Sequence, residues 1–116
     1  MKIKQGASLQ GLKISMRKAL ITADHIYKKF GKELVVTSGT DGEHSAGSLH
    51  YYGFAVDIRT NYFTQDETKQ VVDELRIILH SDYHVIEHKT HIHIEYEKAK
   101  IRQEGIINGI IKLPDY

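Results

Sequence analysis

The chain contains no cysteine. That absence excludes disulfides, thiolate chemistry and every cysteine-built structural metal centre, so any metal must be held by nitrogen and oxygen. An excess of charge of one sign is also missing, since 16 basic residues face 15 acidic ones for a formal net charge of +1. No strong field draws the protein to nucleic acid or to an anionic membrane, and neither is expected as a partner. Long hydrophobic runs are lacking as well. The residues from Met1 to Gly6 turn polar at once, without an apolar stretch of signal-peptide length, and nothing downstream approaches a membrane span. The expectation is a protein made soluble in the cytoplasm, which needs another agent to reach a substrate outside it.

What is present suits one small domain with a single core: 116 residues, 41% of them hydrophobic and 27% charged. The unusual feature is eight histidines, five of which lie between His80 and His93. They are too dispersed for a purification tag or a low-complexity metal tract.

Hydrophobic periodicity organises the rest. Leu12, Met16, Ala19, Leu20, Ala23, Ile26, Tyr27 and Phe30 recur at helical spacing, with Gly31 as a stop. A short β-rich run, residues 34–37, precedes a loop rich in glycine and serine at 39–47, and residues 54–60 read as a second strand. Thr64 to Glu67 matches a capping box and opens a helix with apolar positions Val71, Val72, Leu75, Ile78 and Leu79. Two strands follow, at 83–87 and 91–96. The apolar pairs Ile106-Ile107 and Ile110-Ile111 suggest a further short strand or edge segment. This order predicts an α+β fold, a single domain over residues 1–116, with two main helices on one face of a mostly antiparallel sheet.

Strand alternation then collects polar side chains. His91, His93 and Glu95 fall on one face of their strand, while Ile92, Ile94 and Tyr96 fall on the other. With a three-residue hairpin loop at 88–90, Glu87 is expected opposite His91 and Val85 opposite His93, so that Glu87 shares the imidazole face as a diagonal neighbour of His93. Asp57 is a carboxylate among apolar neighbours and needs a partner, which a cation would supply. His25, His80, His84 and His88 have no nameable partner and read as structural or solvent-facing. His50 and Asp57 are seven apart with small Gly53 and Ala55 between them, and Glu87 and His93 are six apart. Together they point to a metal site. Two imidazoles and one carboxylate can hold zinc with one position left open, and a spare glutamate can take a proton from water there.

The run S-x-H-x-x-G-x-A-x-D, from Ser48 to Asp57, resembles the signature of the zinc D-alanyl-D-alanine carboxypeptidase and L-alanyl-D-glutamate endopeptidase family, which shares its fold with the hedgehog signalling domain. Asp41-Gly42-Glu43-His44-Ser45, Ser48 to Tyr51, and Glu87 to His93 are closest in wording to hedgehog segments. The likeness spans roughly residues 33–96. It implies zinc held by His50, Asp57 and His93, with Glu87 as the base and with His91 and His44 close to the water. It further implies amide hydrolysis in bacterial peptidoglycan, in stem or cross-bridge peptides containing D-amino acids, as by a bacteriophage lysin or virion-associated wall peptidase. Tyr51, Tyr52, Tyr62 and Arg59 are candidates for lining the cleft, with core packing as the alternative for the tyrosines.

Two departures accompany the likeness. Peptidases of the family usually carry an oxyanion-stabilising arginine after the first strand, and Ser38-Gly39-Thr40-Asp41 has none, which leaves zinc, His44 or His91 for that role. Only Asp41 and Glu43 stand where hedgehog domains cluster calcium ligands, so no comparable calcium site is expected. The rival readings are a hedgehog-like zinc domain that binds a partner without catalysis, and a virion structural protein that has kept the fold.

Overall fold

The structure is a computed structural model that describes residues 1–42 and 48–97. Its elements, in chain order, are β1 (Lys2–Ile3), α1 (Ile14–Lys29), β2 (Val35–Ser38), a 3₁₀ turn (Leu49–Tyr52), β3 (Ala55–Arg59), α2 (Gln65–Leu79), a second 3₁₀ turn (His80–Asp82), β4 (Tyr83–Glu87) and β5 (His91–Tyr96). The strands form one sheet in the order β1-β2-β3-β5-β4, antiparallel except for the β1–β2 pair. The expected α+β architecture with two helices and a mostly antiparallel sheet is therefore present. The expected segment around Ile106 to Ile111, together with Glu43 and His44, lies outside the described residues.

Helix α1 buries Met16, Ala19, Leu20, Ala23, Ile26 and Tyr27, one stripe at the spacing of a helix face. Helix α2 starts at Thr64, whose hydroxyl accepts from the Glu67 amide while the Glu67 carboxylate accepts from the Thr64 amide. This reciprocal cap is worth about 1 kcal/mol. Val71, Val72, Leu75 and Leu79 point into the core, whereas Ile78, expected among them, is half exposed. Both helices pack on Val36, Val56, Ile58, Val85, Ile92 and Ile94, which form one face of the sheet. Because strand side chains alternate, the residues between these six must occupy the opposite, helix-free face.

Register across the hairpin differs from the expectation. β4 and β5 pair Glu87 with Ile92, Ile86 with His93 and Val85 with Ile94. The His88 amide donates to the His91 carbonyl at 2.9 Å, so the connection is the two residues Lys89 and Thr90 rather than residues 88–90. A shift of one residue moves every side chain of a strand to the other face. Burial sets its direction, since this register puts Val85 into the core beside Ile94.

Candidate metal centre

The site is assembled on the helix-free face from three segments. β3 and β5 contribute Asp57 and His93, which are direct cross-strand partners. The 3₁₀ turn contributes His50, which is buried. Two local features deliver that turn to the sheet. Ala55, small and fully buried, packs with Leu49 and Phe54 beneath it. Gly53 closes the turn at φ 80°, and a Cβ there would stand 2.4 Å from the Gly11 carbonyl oxygen. Only glycine fits both the left-handed backbone and that contact.

Three donor atoms converge. His93 Nδ1 is 2.9 Å from Asp57 Oδ1, His50 Nε2 is 3.2 Å from His93 Nδ1, and His50 Nε2 is 3.5 Å from Asp57 Oδ1. Ligands about 2.0–2.1 Å from a tetrahedral ion stand about 3.3 Å apart, so this triangle has the edges of a zinc-sized coordination face. The far nitrogens of both rings are anchored. His50 Nδ1 donates to the Gly39 carbonyl at 2.8 Å, and His93 Nε2 donates to Glu95 Oε1 at 2.8 Å. Such outer bonds fix the tautomer and aim the remaining nitrogen at a shared centre, as they do for metal-ligating histidines. His50, Asp57 and His93 thus form a group that can hold a metal ion.

Electrostatics agree with the geometry. Burial alone would raise the Asp57 pKa, but hydrogen bonds from His50 and His93 hold it well below the usual carboxylate range. Burial opposes the charged form of His93, yet the Asp57 and Glu95 carboxylates outweigh it and push its pKa up to about 9. A cation is favoured at this point, and in its absence a proton takes the place. His91 is half-buried with Nε2 3.9 Å from Asp57 Oδ2. Burial lowers its pKa, and the neighbouring imidazoles add to this against the pull of Asp57.

The other expected residues divide. His91 lies beside the triad. Glu87 does not, because the two-residue loop sends it to the far side, where it lines a groove with Thr60, Asn61 and Gln65. His88, read from sequence as structural or solvent-facing, takes the place on the imidazole face, its ring stacked on His91 at 4.7 Å between centroids and edge-on to His93 at 6.4 Å. Arg59 lies on that face too, as the cross-strand partner of His91. Tyr62 is core-associated, packed edge-on against Tyr27 and Phe63 with its hydroxyl donating to the Glu33 carbonyl. Tyr52 packs with Leu49 and Phe54.

Sequence reasoning left two supports without a role. Glu95 was visible in the His-x-Glu alternation of its strand. The Gly39 carbonyl had no such signal, because every residue carries one. Its position is set by Asp41, whose carboxylate accepts from the amides of Ser8 at 2.7 Å and Gly39 at 2.8 Å. Burial opposes the charge on Asp41, but those amide bonds keep its pKa lowered. Asp41 is thereby a structural anchor of the turn that holds His50. No protein-family model matches the chain, and no curated protein matches it in sequence.

Proposed function

We propose that the protein is a zinc-dependent peptidase acting on peptidoglycan peptides, with the fold shared by hedgehog domains and D-alanyl-D-alanine peptidases. The observation that carries this reading is the triangle of His50 Nε2, Asp57 Oδ1 and His93 Nδ1, with both outer ring nitrogens already bonded. A three-residue set of nitrogen and oxygen donors leaves a fourth position for reacting groups, which distinguishes a catalytic site from a closed structural one. Zinc, when bound, would supply a nucleophile at neutral pH and polarise the scissile carbonyl.

The chain's own residues then have separable tasks. Gly39 and Glu95 orient the two histidines. His91, half-buried at the edge of the triad with Nε2 3.9 Å from Asp57 Oδ2, would accept a proton from the nucleophile and return it to the leaving amine. His88 stacks on it and restrains its ring. Glu87 is assigned no part in the reaction.

A second reading has its own support. Glu87 lies across the sheet from the triad, away from any water bound there, as suits a hedgehog-like zinc domain that binds a partner and hydrolyses nothing. Incubating zinc-loaded wild type, Glu87→Gln and His91→Ala with purified peptidoglycan separates the two. New amino termini released by wild type and Glu87→Gln, but not by His91→Ala, support the peptidase with His91 as its proton carrier. No release by any of the three supports the binding domain.

A further inference from the structure

β4 is an edge strand of the sheet, and its pairing with β5 sets His84 directly opposite Glu95. Since Val85 points into the core, His84 falls on the helix-free face. Glu97 joins the pair from just beyond the end of β5. His84 Nδ1 is 3.6 Å from Glu97 Oε2, and one donor atom from each of His84, Glu95 and Glu97 lies within 4.8 Å of the other two.

This group differs from an ordinary surface ion pair in two ways. Its inner and outer members are unequally exposed, with the Glu95 side chain 12% accessible against 49% for His84 and 43% for Glu97. One donor is therefore held inside while the edge of the sheet stays open to an entering ion and its water. The second difference is at Glu97 Oε2, which is shut off from solvent although the rest of its side chain is not, and which accepts no hydrogen bond. His84 is too far away at 3.6 Å to supply one. An ionised oxygen without water or a donor needs a cation, and two neighbouring carboxylates repel each other unless one joins them.

We propose that His84, Glu95 and Glu97 form a second divalent-metal site at the sheet edge, distinct from the triad and independent of what the triad does. One imidazole and two carboxylates, with room for water, suit an ion of the manganese class, whereas the nitrogen-rich triad suits zinc. Glu95 belongs to both arrangements. Its Oε1 accepts from His93 Nε2, and a carboxylate has further lone pairs for an ion on its other side. The edge site is the weaker of the two, because the exposed His84 and Glu97 side chains lose rotamer freedom on closing around an ion. At the triad, Gly39 and Glu95 already hold the rings in place.

The test titrates manganese into protein loaded with one equivalent of zinc and freed of excess, its zinc content measured by atomic absorption. Electron paramagnetic resonance of the unbound manganese counts the ions taken up, and paramagnetic broadening of amide NMR signals locates them. The expected result is one manganese per chain, with broadening centred on His84 and on Glu95 to Glu97, and an affinity at least tenfold lower in both His84→Ala and Glu97→Gln. Both substitutions fall on exposed side chains, so the fold is retained. No uptake by wild type, no broadening centred on those residues, or an affinity unchanged in either variant overturns the site. Zinc content is read separately, so a triad that fails to hold zinc is distinguished from an edge site that fails to hold manganese.

Discussion

His93 stands between two carboxylates, its Nδ1 2.9 Å from Asp57 and its Nε2 2.8 Å from Glu95. The two bonds do different work, because the Nε2 bond remains when a metal takes the Nδ1 position and the Nδ1 proton does not.

Metal binding should therefore release a proton. With the His93 pKa raised to about 9, the metal-free site is protonated at pH 7, and a ligating imidazole must be neutral. Calorimetric titration with zinc in two buffers of different ionisation enthalpy should report about one proton released near pH 7, falling towards none above pH 9. The folded pKa lies above the ordinary value of about 6.5, so the stabilisation that His93 gives the metal-free protein is full below pH 6.5 and is lost as pH rises through about 9. Thermal melts of the metal-free protein should weaken across that window, while saturating zinc should add more stability at the alkaline end.

Removing an orienting bond should weaken the metal without abolishing it. Glu95→Gln is expected to lower zinc affinity about 10–100-fold, as read by competition with a chromophoric chelator. His50→Ala and His93→Ala should lose stoichiometric zinc altogether. His84→Ala should leave zinc binding at the triad like wild type, since the His84 ring, exposed on the surface beside Glu95 and Glu97, supplies no atom to the triangle of His50, Asp57 and His93.

Hairpin register makes a prediction about catalysis. Glu87→Gln should keep hydrolytic activity within about threefold, whereas His91→Ala should lose about 100-fold, the lower end of what a positioned proton carrier contributes. A loss of that size in Glu87→Gln, with zinc content unchanged, would return Glu87 to the reaction and count against the two-residue loop.

Gly53→Ala tests how His50 is delivered. A methyl group 2.4 Å from the Gly11 carbonyl oxygen, on a backbone at φ 80°, should cost more than about 2 kcal/mol of folding stability in chemical denaturation. Zinc affinity should fall with it, because the turn bearing His50 must shift to relieve the contact.

Much of this site could be read in the sequence, and the misreadings share one cause. The candidate ligands His50, Asp57 and His93 stood out because a buried carboxylate and histidines at period-two spacing are local signals. Glu87 and His88 exchanged faces because the loop gave no signal. Two-residue hairpins usually announce themselves with glycine or asparagine at positive φ, and Lys89 and Thr90 have neither that composition nor that backbone. The cations lining the cavity beside Asp57 and His91 were harder still. Arg59 was named only as a possible lining residue, and Lys4 looked like part of a polar terminus until β1 paired with β2.

Local chemistry along the chain was enough to determine the helix stripes, the capped start of α2, the alternation of β5 and the donor types able to hold a metal without cysteine. Tertiary structure alone decided which face Glu87 occupies, which carbonyl and carboxylate orient the two histidines, and that Lys4 and Arg59 line one cavity. Those outcomes depend on cross-strand register and on contacts between distant segments. Burial of Val85 and Ile94 on the same face fixes that register, a choice between neighbouring alignments that the loop residues do not signal by themselves.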